Sequence, residues 1–589
     1  MSKNIIRIAN CSGYYGDKLS AAKELVEGGP IDVLTGDYLA ELTMGILYGQ
    51  MLQRGQDKGY VATFLKQLRE IAKTCHDKKI KIVVNAGGLN PESMSQEVQN
   101  ILNEMNITSK VAYIEGDNIV NDLEYLQKQG QEFINIDRQI SLKDSGHKVL
   151  TANTYLGAWG IKEALDQGAD IVICPRVTDA SVVIGPAAWK FNWQRDDFDQ
   201  LAGALAAGHI IECGAQATGG NYAFFQEVES FKNIGYPIAE IYEDGSSVIT
   251  KHEGTGGLVS VGTVTAQLLY EIGSTEYLNP DVTAHFNTLK MKQVGDNRVS
   301  ISGCKGSKPP TTHKVCVNLS GGFRNGMELI LTGLDIEEKA EIFTEALFDL
   351  LGGKDQFDEV DIQLHRQDKE DPDSHEEAMA FLRITVKSKD AKVVGRIFTA
   401  KVVELALANY PGWFSKDSIG SGTPFIFYWP TTIDSKFVKE IVNIDNKSIE
   451  ITPTNQMNLS SHKFTFDKPE IATYESEEKQ ETFFGRLVGA RSGDKGGCAN
   501  LGVWVKTDDA YSFLFHYLTV DKLKELLTDL EQYDIERYDF PNVRAVNFYI
   551  HGILGDGASS NTKVDALAKS LGEYLRAKKV NIPKQLIED

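Results

Sequence analysis

The first 174 residues alternate short apolar runs with amphipathic segments, and that alternation limits the possible folds more than any other feature. Apolar runs at 5–9, 31–34, 80–84, 111–114, 149–152 and 171–174 read as strands. The stretches 19–26, 38–53, 60–75, 92–105 and 156–167 carry helical periodicity. Strands alternating with helices of this length predict βαβ units, because a parallel neighbour is reached only through a crossover. The expected class is α/β, with an N-terminal, mainly parallel sheet and helices on both faces. A doubly wound sheet and a barrel variant both fit.

Polar residues gather where the runs end: NCSGYYG (10–16), TGDYLAE (35–41), NAGGLN (85–90), EGD (115–117), NTY (153–155) and PRVTD (175–179). If the strands are parallel, these turns share one edge of the sheet, the edge where such sheets and barrels bind ligands. Gly, Asn and Asp are also ordinary turn formers. That accounts for Gly87 and Gly88 better than for Asp37, Glu41, Asn85, Glu115, Asn153, Arg176 and Asp179. The density peaks at 171–222. There an apolar run empties into Arg176, Thr178 and Asp179, a helix-like DFDQLAGALAAGH follows, and His209, Glu212, Cys213, Gln216, Thr218 and Asn221 sit among glycines. Arg176 and Asp179 could equally pair with each other or cap the next helix.

Beyond this stretch the pattern turns antiparallel. Runs 238–242 and 247–251 flank Glu243, Asp244 and Gly245, a hairpin signal. The second arm enters HEGTGG (252–257) ahead of an apolar helix at 258–272. Glu253, Thr255, Gly256 and Gly257 there could present backbone N–H groups to a phosphate or carboxylate, or form only a tight connection. Runs 314–319 and 327–331 predict a second hairpin around GGFRNG (321–326), followed by a helix at 336–351, strands at 360–364 and 380–386, and a helix at 391–408. The expected domains are an α/β domain over 1–280 holding the strand-end site, an α+β lobe over 281–462, a Glu- and Lys-rich linker over 463–481, and a small α+β domain over 482–589. In the last, ARSGDKGGCAN (490–500) presents Arg491, Asp494 and Lys495 on a polar loop, either for a ligand or for docking.

These segments resemble the acyclic terpene utilisation protein A family. The resemblance rests on TGDYLAE (35–41), the RVTDA turn (176–180), GHIIECGAQATGGNY (208–222), EGTGGLVSVGTV (253–264), LLYEIG (268–273) and ARSGDKGGCANLGV (490–503). It spans nearly the whole chain and implies the family's two parts, a large N-terminal region and a small ferredoxin-like C-terminal one. It also implies a setting, the breakdown of branched acyclic terpenoids through acyl-CoA intermediates. It assigns no catalytic residue.

Composition narrows the function. The net charge of −21 argues against a nucleic-acid binder. No apolar run approaches the roughly 20 residues that cross a bilayer, and the N-terminus turns polar too early for a signal peptide. The seven cysteines contain no CxxC pair, which suggests reduced thiols and a cytoplasmic protein. No dinucleotide fingerprint follows a strand, and phosphate-loop, GxSxG and HExxH motifs are absent.

The expected partner is therefore a small molecule, a CoA thioester on the resemblance, with no nucleic acid or membrane and a homo-oligomeric assembly. The expected chemistry is a lyase or hydratase using Asp37, Glu41, Asp179 and Glu212 as acid and base. Arg176 and the Gly256 and Gly257 amides would meet negative charge, and Cys213 is a candidate nucleophile near His209. Asn85, Gly87, Gly88, Glu115, Asn153, Thr218, Asn221, Glu253, Thr255, Arg491, Asp494 and Lys495 are the expected substrate contacts. No cofactor is expected, although Asp37, Glu41 and Asp179 could supply oxygen ligands to a divalent metal. A non-catalytic accessory subunit, or a hydrolase or decarboxylase on the same substrates, are the alternatives.

Overall fold

Five strands of the first half hydrogen-bond in parallel, in the order β1-β2-β3-β6-β4. They are β1 (Ile5–Asn10), β2 (Val33–Gly36), β3 (Lys81–Val84), β4 (Val111–Glu115) and β6 (Ile171–Ile173), with β5 (Val149–Thr154) lying elsewhere. The computed structural model describes residues 5–454, 457, 459, 470–474, 476 and 478–587. The intervening helices are α1 (Ala21–Gly28), α2 (Glu41–Arg54), α3 (Ala62–Lys78), α4 (Pro91–Glu104), α5 (Leu123–Lys128) and α6 (Trp159–Asp166), followed by α7 (Ser181–Phe191) and α8 (Phe198–Ile211).

Alternation along each strand explains why both faces are covered. Ala9, Leu34, Ile82, Val84, Ile171 and Ile173 pack with Leu25, Met44, Phe64, Leu68 and Val98 of α1 to α4. The residues between them, Ile8, Val33, Val83 and Val172, are fully buried as well, and α7 lies against β1 and β2. In α8 every residue except Asp199 and Gln200 is buried, as a helix apolar on all sides requires.

The hairpin β7 (Ile238–Tyr242) and β8 (Ser247–Thr250) continues the sheet antiparallel from β1. Strands Arg298–Ser302 and Lys290–Gly295 follow on that side, and Glu440–Ile444 and Lys447–Ile451 lie beyond β4, giving eleven strands. β5 corrects the expectation of six converging turns. It leaves the sheet and runs beside the strand that begins at Thr312, with Tyr155 N–H donating to the Lys314 carbonyl at 2.9 Å. The reason lies in its polar side chains. Thr151 accepts from Asn318 Nδ2 at 3.0 Å, and Asn153 donates to Asp117 at 2.7 Å. Buried polar groups need such partners, which a sheet interior of Val and Ile does not offer.

The chain forms two compact units. One comprises Met1–Asn318, Tyr428–Ala558 and Leu567–Asp589, and the other Leu319–Phe427 with Ser559–Ala566. The stretch 281–462 is thus shared between them. In the second unit, Met379–Ser388 pairs antiparallel with the strand Thr312–Thr332 on one side and with Glu359–His365 on the other, under the helix Ile336–Leu350. The predicted hairpin at 321–326 is replaced by one continuous strand. The glycines there serve close packing instead: a Cβ on Gly321 would stand 2.3 Å from the Phe425 ring.

The C-terminal domain, in the first unit, is a four-stranded antiparallel sheet in the order Gly489–Lys495, Cys498–Trp504, Ala545–Ile550, Ile535–Phe540. Helices Asp508–Tyr517 and Leu571–Arg576 and their neighbours complete its own core. The expected polar loop at 490–500 is therefore a hairpin turning at Gly496 and Gly497. Within the expected linker at 463–481, residues 463–469, 475 and 477 lie outside the described residues; its end runs into a strand, Lys479–Phe483, paired with Lys579–Pro583.

Candidate functional site

The carboxyl ends of β1, β2, β3, β4 and β6 do share one edge, and the richest polar cluster of the first unit lies there. Arg176, just past β6, is 1% exposed. Its Nη1 donates to Asp179 Oδ1 at 2.7 Å and to the Val177 carbonyl at 3.0 Å, and its guanidinium lies 4.1 Å from the centre of the Tyr155 ring. Its backbone N–H donates to Asp117 Oδ2 at 3.2 Å, the oxygen that also accepts from Asn153. Asp37, past β2, accepts from Asn85 Nδ2 at 2.5 Å while Asn85 Oδ1 receives the Tyr38 N–H. Glu41, the first residue of α2, accepts from the Tyr155 hydroxyl at 3.1 Å and from Lys314 Nζ at 3.3 Å.

The end of α8 brings in the second part of the cluster. Asn10 Nδ2 donates to the carbonyls of Ile211 and Glu212, both at 2.8 Å, satisfying carbonyls that a helix end leaves open. That anchor fixes Glu212, whose Oε1 lies 3.0 Å from His209 Nδ1. Asp37 and Glu212 are within electrostatic reach of Arg176 and Asp179, and of each other.

These environments separate the carboxyl groups. Burial raises Asp37 and Glu212 well above the carboxylate range, and in both the Asp179 charge adds to the shift. Burial would raise Glu41 too, but Lys314 and Arg176 outweigh it and hold that carboxyl below its ordinary value. Burial also raises Asp117 to about 7. Neutral and ionised carboxyls therefore stand side by side.

The C-terminal hairpin reaches the same region. Asn500 Nδ2 donates to the Leu269 carbonyl at 2.6 Å, and the Glu271 N–H returns a bond to Asn500 Oδ1 at 2.8 Å. This pair holds Glu271 at φ 55, a conformation uncommon for a side-chain-bearing residue. Lys569 Nζ joins Glu271 at 2.9 Å to Asp494 at 3.1 Å. Lys495 lies 5.7 Å from the Tyr277 ring and acts electrostatically on Glu41, His209 and Glu212.

A family model described as acyclic terpene utilisation family protein AtuA matches residues 6–444. The chain belongs to the AtuA family. A second model, the AtuA ferredoxin-like domain, matches residues 484–581 and covers the C-terminal sheet. No curated protein and no solved structure matches the chain. Membership in the AtuA family supports a role in terpene catabolism. Among the described residues no helix is long and apolar enough to cross a membrane.

Of the residues singled out by sequence in this AtuA family chain, Asp37, Glu41, Asn85, Asn153, Arg176, Asp179, Glu212, Asp494 and Lys495 meet in or beside the cluster. Arg491 stacks on Tyr270 at 4.2 Å and donates to Gln216. Gly87 and Gly88 allow the β3 turn to close: a Cβ on Gly87 would stand 2.6 Å from the Cys174 carbonyl oxygen, and one on Gly88 2.5 Å from Leu47.

Others have different partners. The Gly256 and Gly257 N–H groups donate to the carbonyls of Asn233 and Ser230, so neither is open to an anion. The Thr255 hydroxyl donates to the His252 carbonyl, and Glu253 is exposed. The Thr218 hydroxyl donates to backbone carbonyls, and Asn221 donates to Gln216 at 3.4 Å. Glu115 accepts from Asn443 at 2.9 Å, and its neighbour Asp117 occupies the buried position instead. Burial raises the Cys213 thiol well above its usual range, with Glu271 and Glu212 adding to the effect, which disfavours the thiolate that a nucleophile needs. Among the described residues no three His, Cys, Asp or Glu side chains are grouped to hold a metal ion; Arg176 and Lys314 place positive charge on Asp179 and Glu41.

Tyr155, Tyr277, Lys314, Glu271, Lys569 and Tyr428 were not singled out by sequence. Tyr155 closes NTY (153–155) and Glu271 lies in LLYEIG (268–273), both quoted stretches. Tyr277, Lys314 and Tyr428 sit in ordinary strands, and Lys569 lies just ahead of the helix Leu571–Arg576.

Proposed function

We propose that this chain is an enzyme of branched acyclic acyl-CoA breakdown, a lyase or hydratase working by carboxyl acid–base chemistry at the strand ends. The observation that carries this reading is the split among the carboxyls: Asp37 and Glu212 raised, Glu41 lowered, all around one buried arginine. Environments that push neighbouring carboxyls apart are how one site holds both a proton donor and a proton acceptor. Asp179, at 30% the most exposed of the four side chains, is the base. Its Oδ1 is held by Arg176, and its Oδ2 makes no hydrogen bond among the described residues. Asp37 is the acid for a leaving hydroxyl, and Glu212 is a second neutral carboxyl beside it that orients the ligand. Arg176, Lys314 and Lys495 oppose the negative charge that grows on a thioester oxygen when the carbon beside it loses a proton.

A panel of acyl-CoAs screened for thermal stabilisation, then for turnover by mass spectrometry, tests this reading. Asp179→Asn is expected to keep the fold and lose about 10²–10⁴-fold in turnover. A fully active Asp179→Asn ends the assignment of the base. Binding of acyl-CoAs with no turnover of any would favour an accessory, non-catalytic subunit.

A further inference from the structure

The His209–Glu212 pair has a proton whose position can be read from its neighbours. His209 Nε2 lies 3.2 Å from the Leu268 carbonyl oxygen. That oxygen can only accept, so Nε2 bears a hydrogen. The ring is 1% exposed and packed between Tyr277 and Phe286, with centroids 5.2 and 5.5 Å away. A second proton would make it a buried cation. Burial, and then Lys495, hold the ring at about 4, against the weaker opposing pull of the Leu268 carbonyl, Glu271 and Asp179. Nδ1 therefore presents a lone pair.

Glu212 Oε1 lies 3.0 Å from that lone pair. Two bare acceptors do not sit at hydrogen-bond distance, so the proton between them belongs to the carboxyl. Arg176 and Lys495 favour its ionised form, while burial, Asp179, Glu271 and Asp37 favour the neutral one, and the neutral side prevails. With Oε1–H committed to His209, the other oxygen, Oε2, is buried and has no partner among the described residues. A buried acceptor left unmet is costly, and this one belongs to a side chain that the cluster holds in place.

We infer that His209 is a positioning residue that holds Glu212 as a neutral acid with its proton on Oε1, leaving Oε2 as the acceptor for a hydroxyl on the ligand. This rests on the proposed acyl-CoA reading for its ligand, and narrows it to hydroxyacyl thioesters over their dehydrated, unsaturated counterparts. The position of the proton does not depend on that reading.

Two measurements on the full chain separate the parts. Nitrogen NMR of labelled histidine, assigned with His209→Gln, is expected to show His209 neutral and protonated at Nε2 from about pH 5 to 8. The infrared spectrum at neutral pH is expected to contain a carboxylic-acid band absent from Glu212→Gln. A doubly protonated His209 without that band would mean an ion pair and overturn the inference.

The second measurement is binding of a hydroxyacyl-CoA against the matching enoyl-CoA. The wild type is expected to prefer the hydroxy ligand by about tenfold, the worth of one hydrogen bond. Glu212→Gln keeps that preference, since its NH₂ replaces the O–H toward Nδ1 and its carbonyl oxygen replaces Oε2. Glu212→Leu removes it. Equal binding of both ligands by the wild type, or a preference that survives in Glu212→Leu, overturns the hydroxyl acceptor. If the spectra show the neutral pair and no thioester binds, the acyl-CoA reading and its hydroxyl ligand fall while the positioning role of His209 stands.

Discussion

Asp37 and Glu41 are four residues apart on one turn, yet their surroundings drive them to opposite charge states. Asp37 is 5% exposed, and its one side-chain hydrogen bond comes from an amide. Glu41 meets an ammonium and a phenol hydroxyl at the start of a helix, where a negative charge is favoured. Lys314 is the separable cause. In Lys314→Met the burial of Glu41 is opposed by Arg176, a backbone hydrogen bond and Lys495 but no longer by its largest counterweight, so its carboxyl is expected to titrate at higher pH than in the wild type. Residue-resolved NMR of the side-chain carboxyls checks the direction; an unchanged Glu41 would mean that Lys314 does not set its charge. The residues at 35–41 marked this turn as a site in the sequence. The lysine that decides the charge lies 273 positions from Glu41, and no local pattern points to it.

Among the elements, the hairpin Gly489–Lys495 and Cys498–Trp504 depends on close approach. A Cβ on Gly502 would lie 2.6 Å from Leu269 Cβ and 3.1 Å from its carbonyl oxygen. Leu269 is fully buried, and its carbonyl already accepts from Asn500, so neither can yield cheaply. Gly502→Ala is expected to cost about 1–3 kcal/mol by overpacking, seen as a lower midpoint in denaturant. A midpoint equal to the wild type would show that the hairpin has room to shift. The sequence marked 490–503 as special and left ligand contact and docking both open. The packed structure contains docking contacts in Asn500 and Gly502, and brings Lys495 within electrostatic reach of the strand-end carboxyls. The glycines at 321–322 misled the reading in the same physical way, since composition cannot distinguish a glycine needed for a turn from one needed to admit a neighbouring ring.

On the scale of the whole molecule, two buried carboxyls away from the site add their own dependence of stability on pH. Asp281 accepts from the Ala158 N–H at 2.9 Å and Glu440 from the Gly160 N–H at 3.0 Å, both at the start of α6. Burial raises Asp281 to about 6 and Glu440 to about 8, from ordinary values of 3.8 and 4.5. The folded chain thus holds protons that the unfolded chain releases. The stability they contribute is fully present below the ordinary values and is lost as pH rises through about 6 for Asp281 and about 8 for Glu440. Each group lowers stability by at most about 1.4 kcal/mol per pH unit within its window. Glu440→Gln keeps the acceptor for Gly160 without the titration, so its melting temperature is expected to fall less than the wild type's as pH is raised toward 8. An equal fall would place the dependence in other groups.

The alternation of apolar runs and amphipathic segments was enough to establish the α/β class, the parallel strands and the edge where the polar turns gather. Those features follow from periodicity, turn chemistry and the direction of a crossover, all of which are local. Strand order, the departure of β5 and the charge of each carboxyl belong to tertiary packing alone. Burial and the distance to Lys314, Arg176 and Lys495 are properties of the folded chain, and they decide which of two identical side chains carries a proton.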